Sequence, residues 1–318
     1  MSGAVVSPVE AGSPSRRFRN WTPAFAGVAV LLVSGCATAP VRIASRTTAP
    51  MAVPAVPSAG AASVPPGMQY LYGSGEGAAI SIQAWRGLVG YVAAQARARP
   101  VDSVVLAEGA TLAAPRFTPC GQKPLAVVFD VDETVLLNLG FESDEAAHPG
   151  RAYDEARWQA WERTGGDKVA PVPGAVRAIE ALRAIGVTVV FNTNRSAGNA
   201  AASEAALNGA GLGPARHGET LFLKGDDNTG SLKDARRWRI AERYCVLAMG
   251  GDQLGDFSDL FNAGQPVRGR RALVSGPGVA SRWGAGWFVL PNPVYGTAMK
   301  GGVNDLFPSD KKWSAPHD

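Results

Sequence analysis

Several things are scarce in this sequence. Charged residues make up only 18% of it and the net charge is +4, with no dense basic run. That excludes a composition-based case for a nucleic-acid partner. There are three histidines among 318 residues. His148 and His317 sit in polar surroundings and suggest no metal cluster. The apolar run from Phe25 to Val33 is shorter than the ~20 residues a spanning helix needs. No internal repeat is visible. What is present is apolar content of 46%, enough for a sizeable core in residues 68–318.

The first 67 residues do not read as folded domain. Arg16, Arg17 and Arg19 form a basic region ahead of the Phe25–Val33 run, which suits the apolar part of a signal segment. The run ends in Val33-Ser34-Gly35-Cys36, which resembles a bacterial lipobox. The resemblance implies cleavage before Cys36, lipidation of its sulfur and stable membrane anchoring by acyl chains. Ala37 rather than Asp then follows the lipidated residue, which implies an outer-membrane address, facing the periplasm or the cell surface. A plain secretory signal is the simpler alternative. Residues 37–67 are mostly Ala, Pro, Ser and Thr and read as a disordered linker.

Beyond the linker, apolar runs and helical periodicities alternate. Ala78–Arg99 has a mostly helical pattern closed by Pro100. Leu125–Phe129 reads as a buried parallel strand. Residues 139–171 are polar, broken by Gly and Pro, and read as a small helical cap. Pro173-Gly174 opens a helix with Val176, Ile179, Leu182 and Ile185 on one face, closed by Gly186. Val187–Phe191, Leu221–Leu223 and Cys245–Met249 read as strands, Ala200–Leu207 and Ser231–Arg243 as helices. Residues 264–286 read as a loop before a last strand. The alternation predicts an α/β fold, a parallel sheet sandwiched by helices, with ligands beyond the C-terminal strand ends.

Chemistry-bearing residues gather at those ends. Asp130-Val131-Asp132-Glu133-Thr134 follows the first strand, and Gly250-Gly251-Asp252 followed by Asp256 ends a later one. Carboxylates spaced so closely repel one another, and a hard cation such as Mg²⁺ offsets that charge with oxygen ligands. If the strands are neighbours, four carboxylates converge on one point. Thr193 and Asn194 in Asn192-Thr193-Asn194-Arg195 stand where a hydroxyl and an amide can hold a phosphate near a helix start. Ser231 and Asp234 resemble a capping box, putting Lys233 in a first helical turn, where the helix dipole disfavours a cation. A cation placed against local preference points to neutralising a phosphoryl group. Each feature alone suits a blander role, as solvated loop, cap or surface lysine; their order along the chain carries the signal.

In that order the residues resemble the motifs of the haloacid dehalogenase (HAD) superfamily. The closer resemblance is to the class C acid phosphatases, the lipoprotein e(P4) family of surface 5′-nucleotidases, over residues 70–300. It rests on FDVDETVLLN (129–138), VPGAV (172–176), FNTNR (191–195), GSLKDARR (230–237), GDQLGDF (251–257) and LPNPVYG (290–296). The resemblance implies an Mg²⁺-dependent phosphomonoesterase with a HAD-like parallel sheet. Asp130 would be the nucleophile and Asp132 the general acid and base. Asp130, Asp252, Asp256 and the backbone carbonyl of Asp132 would serve the metal, and Thr193, Asn194 and Lys233 the phosphoryl group. Tyr153, Trp158 and Tyr295 match aromatics that stack on a nucleobase, with core packing as the alternative, and Trp161 is left to the core. The implied substrate is a small phosphomonoester such as a 5′-nucleotide or nicotinamide mononucleotide. After Tyr295-Gly296 the family's small residue and Trp-Glu are replaced by Thr297-Ala298-Met299.

Cys120 and Cys245 precede strands that are neighbours in a HAD sheet, so they are either a disulfide or two small buried thiols. Arg216-His217-Gly218 copies a signature of histidine phosphatases, but no strand pattern precedes it. Two other functions share the motifs: a lipoprotein binding haem or nucleotide without turnover, and a phosphotransferase passing the phosphoryl group to an alcohol. A homodimer is compatible with the sequence.

Overall fold

The computed structural model describes residues 64–316. The signal segment, Cys36, most of the Ala/Pro-rich stretch and His317 lie outside them. Among the described residues no helix is long and apolar enough to cross a membrane.

The chain enters through a helical turn, α1 (Pro66–Met68), and a short π-turn, then helix α2 (Gly75–Ala98). Ser74 starts α2, its hydroxyl accepting from the Gly77 N–H at 2.9 Å. Arg99 ends it in the left-handed region at φ 48°, and Pro100 forbids continuation. A hairpin follows, β1 (Asp102–Leu106) with β2 (Phe117–Pro119). Strand β3 (Leu125–Phe129) leads to the short β4 (Leu136–Leu137). Helices α3 (Leu139–Ala147) and α4 (Glu155–Thr164) form the cap, and β5 (Ala170–Pro171) pairs antiparallel with β4. The cap is therefore an insertion whose exit and return are stitched together. Then come α5 (Ala175–Ala184), β6 (Thr188–Ser196), α6 (Ala200–Gly209), β7 (Leu221–Lys224), α7 (Asp234–Arg243), β8 (Cys245–Gly251), α8 (Val267–Val274) and β9 (Trp287–Val289).

Five strands make one parallel sheet in the order β7-β6-β3-β8-β9. Alternate residues supply its two faces, as a pleated strand requires. Val127, Phe129, Val189 and Phe191 pack with Trp85 of α2 and with Ile179 and Leu182 of α5. Val128, Val190, Val246 and Met249 pack on the other side with Ile240 of α7. Burial on both faces is why these strands are near-continuous apolar runs. The chain leaves β3 towards β6 and β7 on one side and returns to β8 on the other. The crevice of such an open sheet opens where the order reverses, at the ends of β3 and β8.

Three expectations need correcting. Ile185 is the C-cap of α5 and is exposed, because the helix closes before the apolar face includes it. Residues 264–286 are not only loop: Val267–Val274 is helical, with Leu273 and Val274 against the second core, a short amphipathic stretch masked by flanking Gly and Arg. Helix α7 starts at Asp234 with Lys233 as its N-cap, and Ser231 caps nothing. The carboxylate of Asp259, arriving from beyond β8, takes the Lys233 and Asp234 N–H groups instead, at 2.9 and 2.7 Å. A cap supplied from a distant loop has no local sequence signal.

Cys120 and Cys245 are joined by a disulfide with Cα atoms 4.5 Å apart. It ties the hairpin to the start of β8 across 125 residues. Closing a loop of that length removes unfolded-chain entropy worth about 3–5 kcal/mol.

Candidate active site

Parallel pairing sets Phe129 opposite Gly250, and the Asp130 N–H donates to the Gly250 carbonyl at 3.0 Å. Asp130 and Asp252 thus leave adjacent strand ends together. Gly251 has no room for a side chain because the Asp256 carboxylate occupies that space. The outcome is a buried group of Asp130, Asp252 and Asp256 with ligand oxygens within 4.8 Å of one another. The Lys233 ammonium inserts among them, 2.5 Å from Asp130 and 2.6 Å from Asp256. As N-cap of α7, Lys233 is held there by the helix start itself.

The convergence of four carboxylates is corrected to three. Asp132 turns away to a second centre. Its Oδ1 accepts from Arg195 Nε and Nη2 at 2.9 and 2.7 Å and from Asn138 Nδ2 at 3.0 Å. Its Oδ2 accepts only from the Thr193 hydroxyl, at 3.4 Å. Arg195, buried at the end of β6, outcompetes the cluster for this carboxylate because its fork reaches Oδ1 with two N–H groups. Thr193 is fully buried and braces Asp132 and the Arg195 N–H. Asn194 reaches the cleft, its amide bonded to the Ser231 carbonyl and to Arg236.

Three further residues, given no role by the sequence, organise the site. Asn138 holds Asp132 and Glu133 with its amide N–H, while its oxygen accepts from Arg195 and from the Trp161 indole. Trp161 therefore links the cap to the site and is only half buried. Glu133 is buried at φ 56° and binds Asn138, Tyr72 and the Tyr295 hydroxyl. Thr134 bridges Asp130 and Asp252 at 3.2 and 3.1 Å. Arg195, Glu133 and Asn138 all lie inside the sequence motifs. Their partners, 5 to 162 residues away along the chain, are visible only in the fold.

A cleft of about 870 Å³ opens above these groups. Asp130, Asp132, Lys233, Asp252 and Asp256 form its floor, and Tyr153, Trp158 and Tyr295 are on its walls. Tyr153 is 65% exposed and donates to Glu155 at 2.9 Å. Trp158 meets Phe141 edge-on at 5.0 Å. Tyr295 is anchored through its hydroxyl to Glu133, which fixes its ring on the wall.

The electrostatics follow from burial. Burial pushes the Asp130 carboxyl well above its usual range, against the pull of Lys233. Burial and then repulsion from Asp256 carry Asp252 up to about 7. Burial alone would lower Lys233, but Asp130 and Asp256 outweigh it and hold it above its ordinary value. Three carboxyls share one ammonium, so burial pushes Asp130 and Asp252 towards the protonated form unless a further cation joins them. The donor set is oxygen-only and further oriented by Asn292 and Gln253 on Asp252. Such a set fits a hard divalent cation.

Comparison with known proteins agrees with this geometry. Residues 81–298 match the family described as HAD superfamily, subfamily IIIB (acid phosphatase). Acid phosphatase 1 of Solanum lycopersicum is 26% identical over 174 residues, 53% of this chain and 57% of that protein. The chain thus spans little more than half the length of that relative. The class C acid phosphatase of Bacillus anthracis superimposes with a TM-score of 0.60 at 23% identity, over 76% of this chain and 89% of that one. Its tungstate-bound form gives 0.60 at 22% identity over the same shares, a likeness of fold. With the family match spanning most of the described residues, the chain belongs to the acid phosphatases of HAD subfamily IIIB.

Proposed function

We propose that this protein hydrolyses phosphate monoesters through an aspartyl-phosphate on Asp130. The observation that carries the reading is the meeting of Asp130, Asp252, Asp256 and Lys233 on one buried floor, with Asp132 two residues from the nucleophile. A divalent cation, Mg²⁺ by the chemistry of the ligands, would be held by Asp130, Asp252 and Asp256 and would supply charge neutralisation for the phosphoryl oxygens.

Lys233 binds a phosphoryl oxygen and draws Asp130 towards its ionised form, against the effect of burial. The Asp130 carboxylate forms a bond to phosphorus as the bond to the leaving oxygen breaks. Asp132 gives that oxygen a proton from Oδ2, the oxygen left free by Arg195. The leaving alcohol departs. Asp132 then takes a proton from water, whose oxygen attacks phosphorus, releasing phosphate and restoring Asp130. Arg195 and Asn138 hold Asp132 in place through both steps. The walls formed by Tyr153, Trp158 and Tyr295 suit an aromatic leaving group such as a 5′-nucleoside, by stacking. The Bacillus anthracis protein of similar fold has a tungstate-bound form, and tungstate is an oxyanion, which supports the reading.

The test is phosphate release from 5′-nucleotides and a small aryl phosphate, with magnesium or EDTA. Magnesium-dependent release is expected, lost by at least about 1,000-fold in Asp130→Asn. Substantial turnover by that variant would refute the mechanism. Export and lipid anchoring through Cys36 belong to the same proposal, supported by the sequence alone. Detergent-phase partitioning of the full chain should be lost in Cys36→Ser; an unchanged partition would remove the anchor.

A further inference from the structure

The cap carries an acid that its own network leaves out. Arg151 binds Asp144 and Glu145, and Arg157 binds the same two carboxylates. Each of these cap arginines still has an Nε without a hydrogen-bond partner, and Arg157 attracts Glu142 without pairing with it. Glu142, one turn back on α3, is only 6% exposed, and no hydrogen bond or ion pair reaches its carboxylate among the described residues. Yet it is on the wall of the cleft, beside Phe141 and with Trp158. A carboxylate on a mostly buried side chain, unpaired and open to the cleft, calls for an explanation.

Its position narrows the explanation. The Asp132 carboxylate adds to what pushes Glu142 up, and Glu142 in turn acts on Glu133 and Tyr72. Glu142 therefore shares the cleft with Asp132, the residue proposed to protonate the leaving group. Phosphoryl oxygens have no reason to approach it. An anionic leaving group, such as a second phosphate, would be repelled. Burial, then Glu145, raise it to about 7 against Arg157, so a cation beside it would draw it fully into the charged form.

We propose that Glu142 is a specificity-determining residue that receives a cationic nitrogen on the leaving group, a primary or quaternary ammonium next to the ester. The aromatic walls complement that choice, since ring faces attract cations. This rests on the phosphatase reading of the same cleft.

Equilibrium binding separates the two readings from turnover. The full chain carrying Asp130→Asn, with magnesium, is titrated calorimetrically with phosphocholine and with 3,3-dimethylbutyl phosphate, its neutral counterpart. Phosphocholine should bind about tenfold more tightly, and the preference should collapse to about unity when Glu142→Gln is added. A ratio near one before the second substitution, or one that survives it, overturns the role of Glu142 and leaves the phosphatase reading standing. Binding of neither ester overturns the role of Glu142, and the phosphatase reading is then decided by phosphate release from 5′-nucleotides by the unsubstituted protein. In the unsubstituted active site, kcat/KM for the two esters should show the same ratio and the same collapse on Glu142→Gln.

Discussion

The strand ends and the cap both concentrate charge, but in different surroundings. At the strand ends Asp130, Asp256 and Lys233 are buried together, each within hydrogen-bond reach of another. In the cap, Asp144, Arg151 and Arg157 form their ion pairs in contact with solvent. Buried charges are held by rigid elements, two neighbouring strands and a helix start, and removing one leaves the others without compensation. Exposed pairs lose little when one partner returns to water. The difference teaches that the floor is built for one arrangement, while the cap's surface can vary. The cap is fixed to the rest of the fold at two other points instead. Trp161 donates to Asn138, and Glu162 accepts from the Ser196 N–H and from Asn199.

The comparison can be broken most directly at Lys233. Lys233→Met should lower turnover by at least about 100-fold, because a charge aimed at the phosphoryl group is lost. It should also destabilise the fold by about 3–5 kcal/mol near neutral pH, because Asp130 and Asp256 lose their shared partner. Urea unfolding should show the deficit shrinking from pH 8 to pH 5, since protonating a carboxyl removes the charge that Lys233 offsets. A deficit independent of pH would mean that packing, not charge, is what Lys233 contributes.

The opposite arm is Arg151→Ala in the cap. The melting temperature should move by less than about 2 °C, since the guanidinium is replaced by water around exposed acids. A larger drop, measured by calorimetry, would show that the cap network holds its charges as rigidly as the floor does.

Much of this was legible in the chain. The apolar runs ending in Asp130, Thr193 and Asp252 mark strand ends, because strands buried on both faces admit few polar residues until they emerge. Residues 139–171 read as helical from their polarity and breaks, but the division into two helices was not visible there. Less legible was which carboxylate faces which partner. Asp130 and Asp132 look alike in Asp-x-Asp, yet one joins Asp252 and the other pairs with Arg195. Residues two apart share a face only while a strand continues; β3 ends at Phe129, so the backbone turns between the two carboxylates and each meets a different neighbour.

The sequence, through local chemistry, settled the residue types at the strand ends, the alternation of helix and strand, and the place of the cap insertion. These depend on periodicity and on turn residues, which act over a few positions. Tertiary structure alone decided that Asp259 caps the helix of Lys233, that Glu133 fixes Tyr295, that Cys120 meets Cys245, and that Glu142 is left unpaired on the cleft wall. Each of these joins segments, or leaves a segment unjoined, by distances through space that only the ordering of the sheet and the folding back of the cap create.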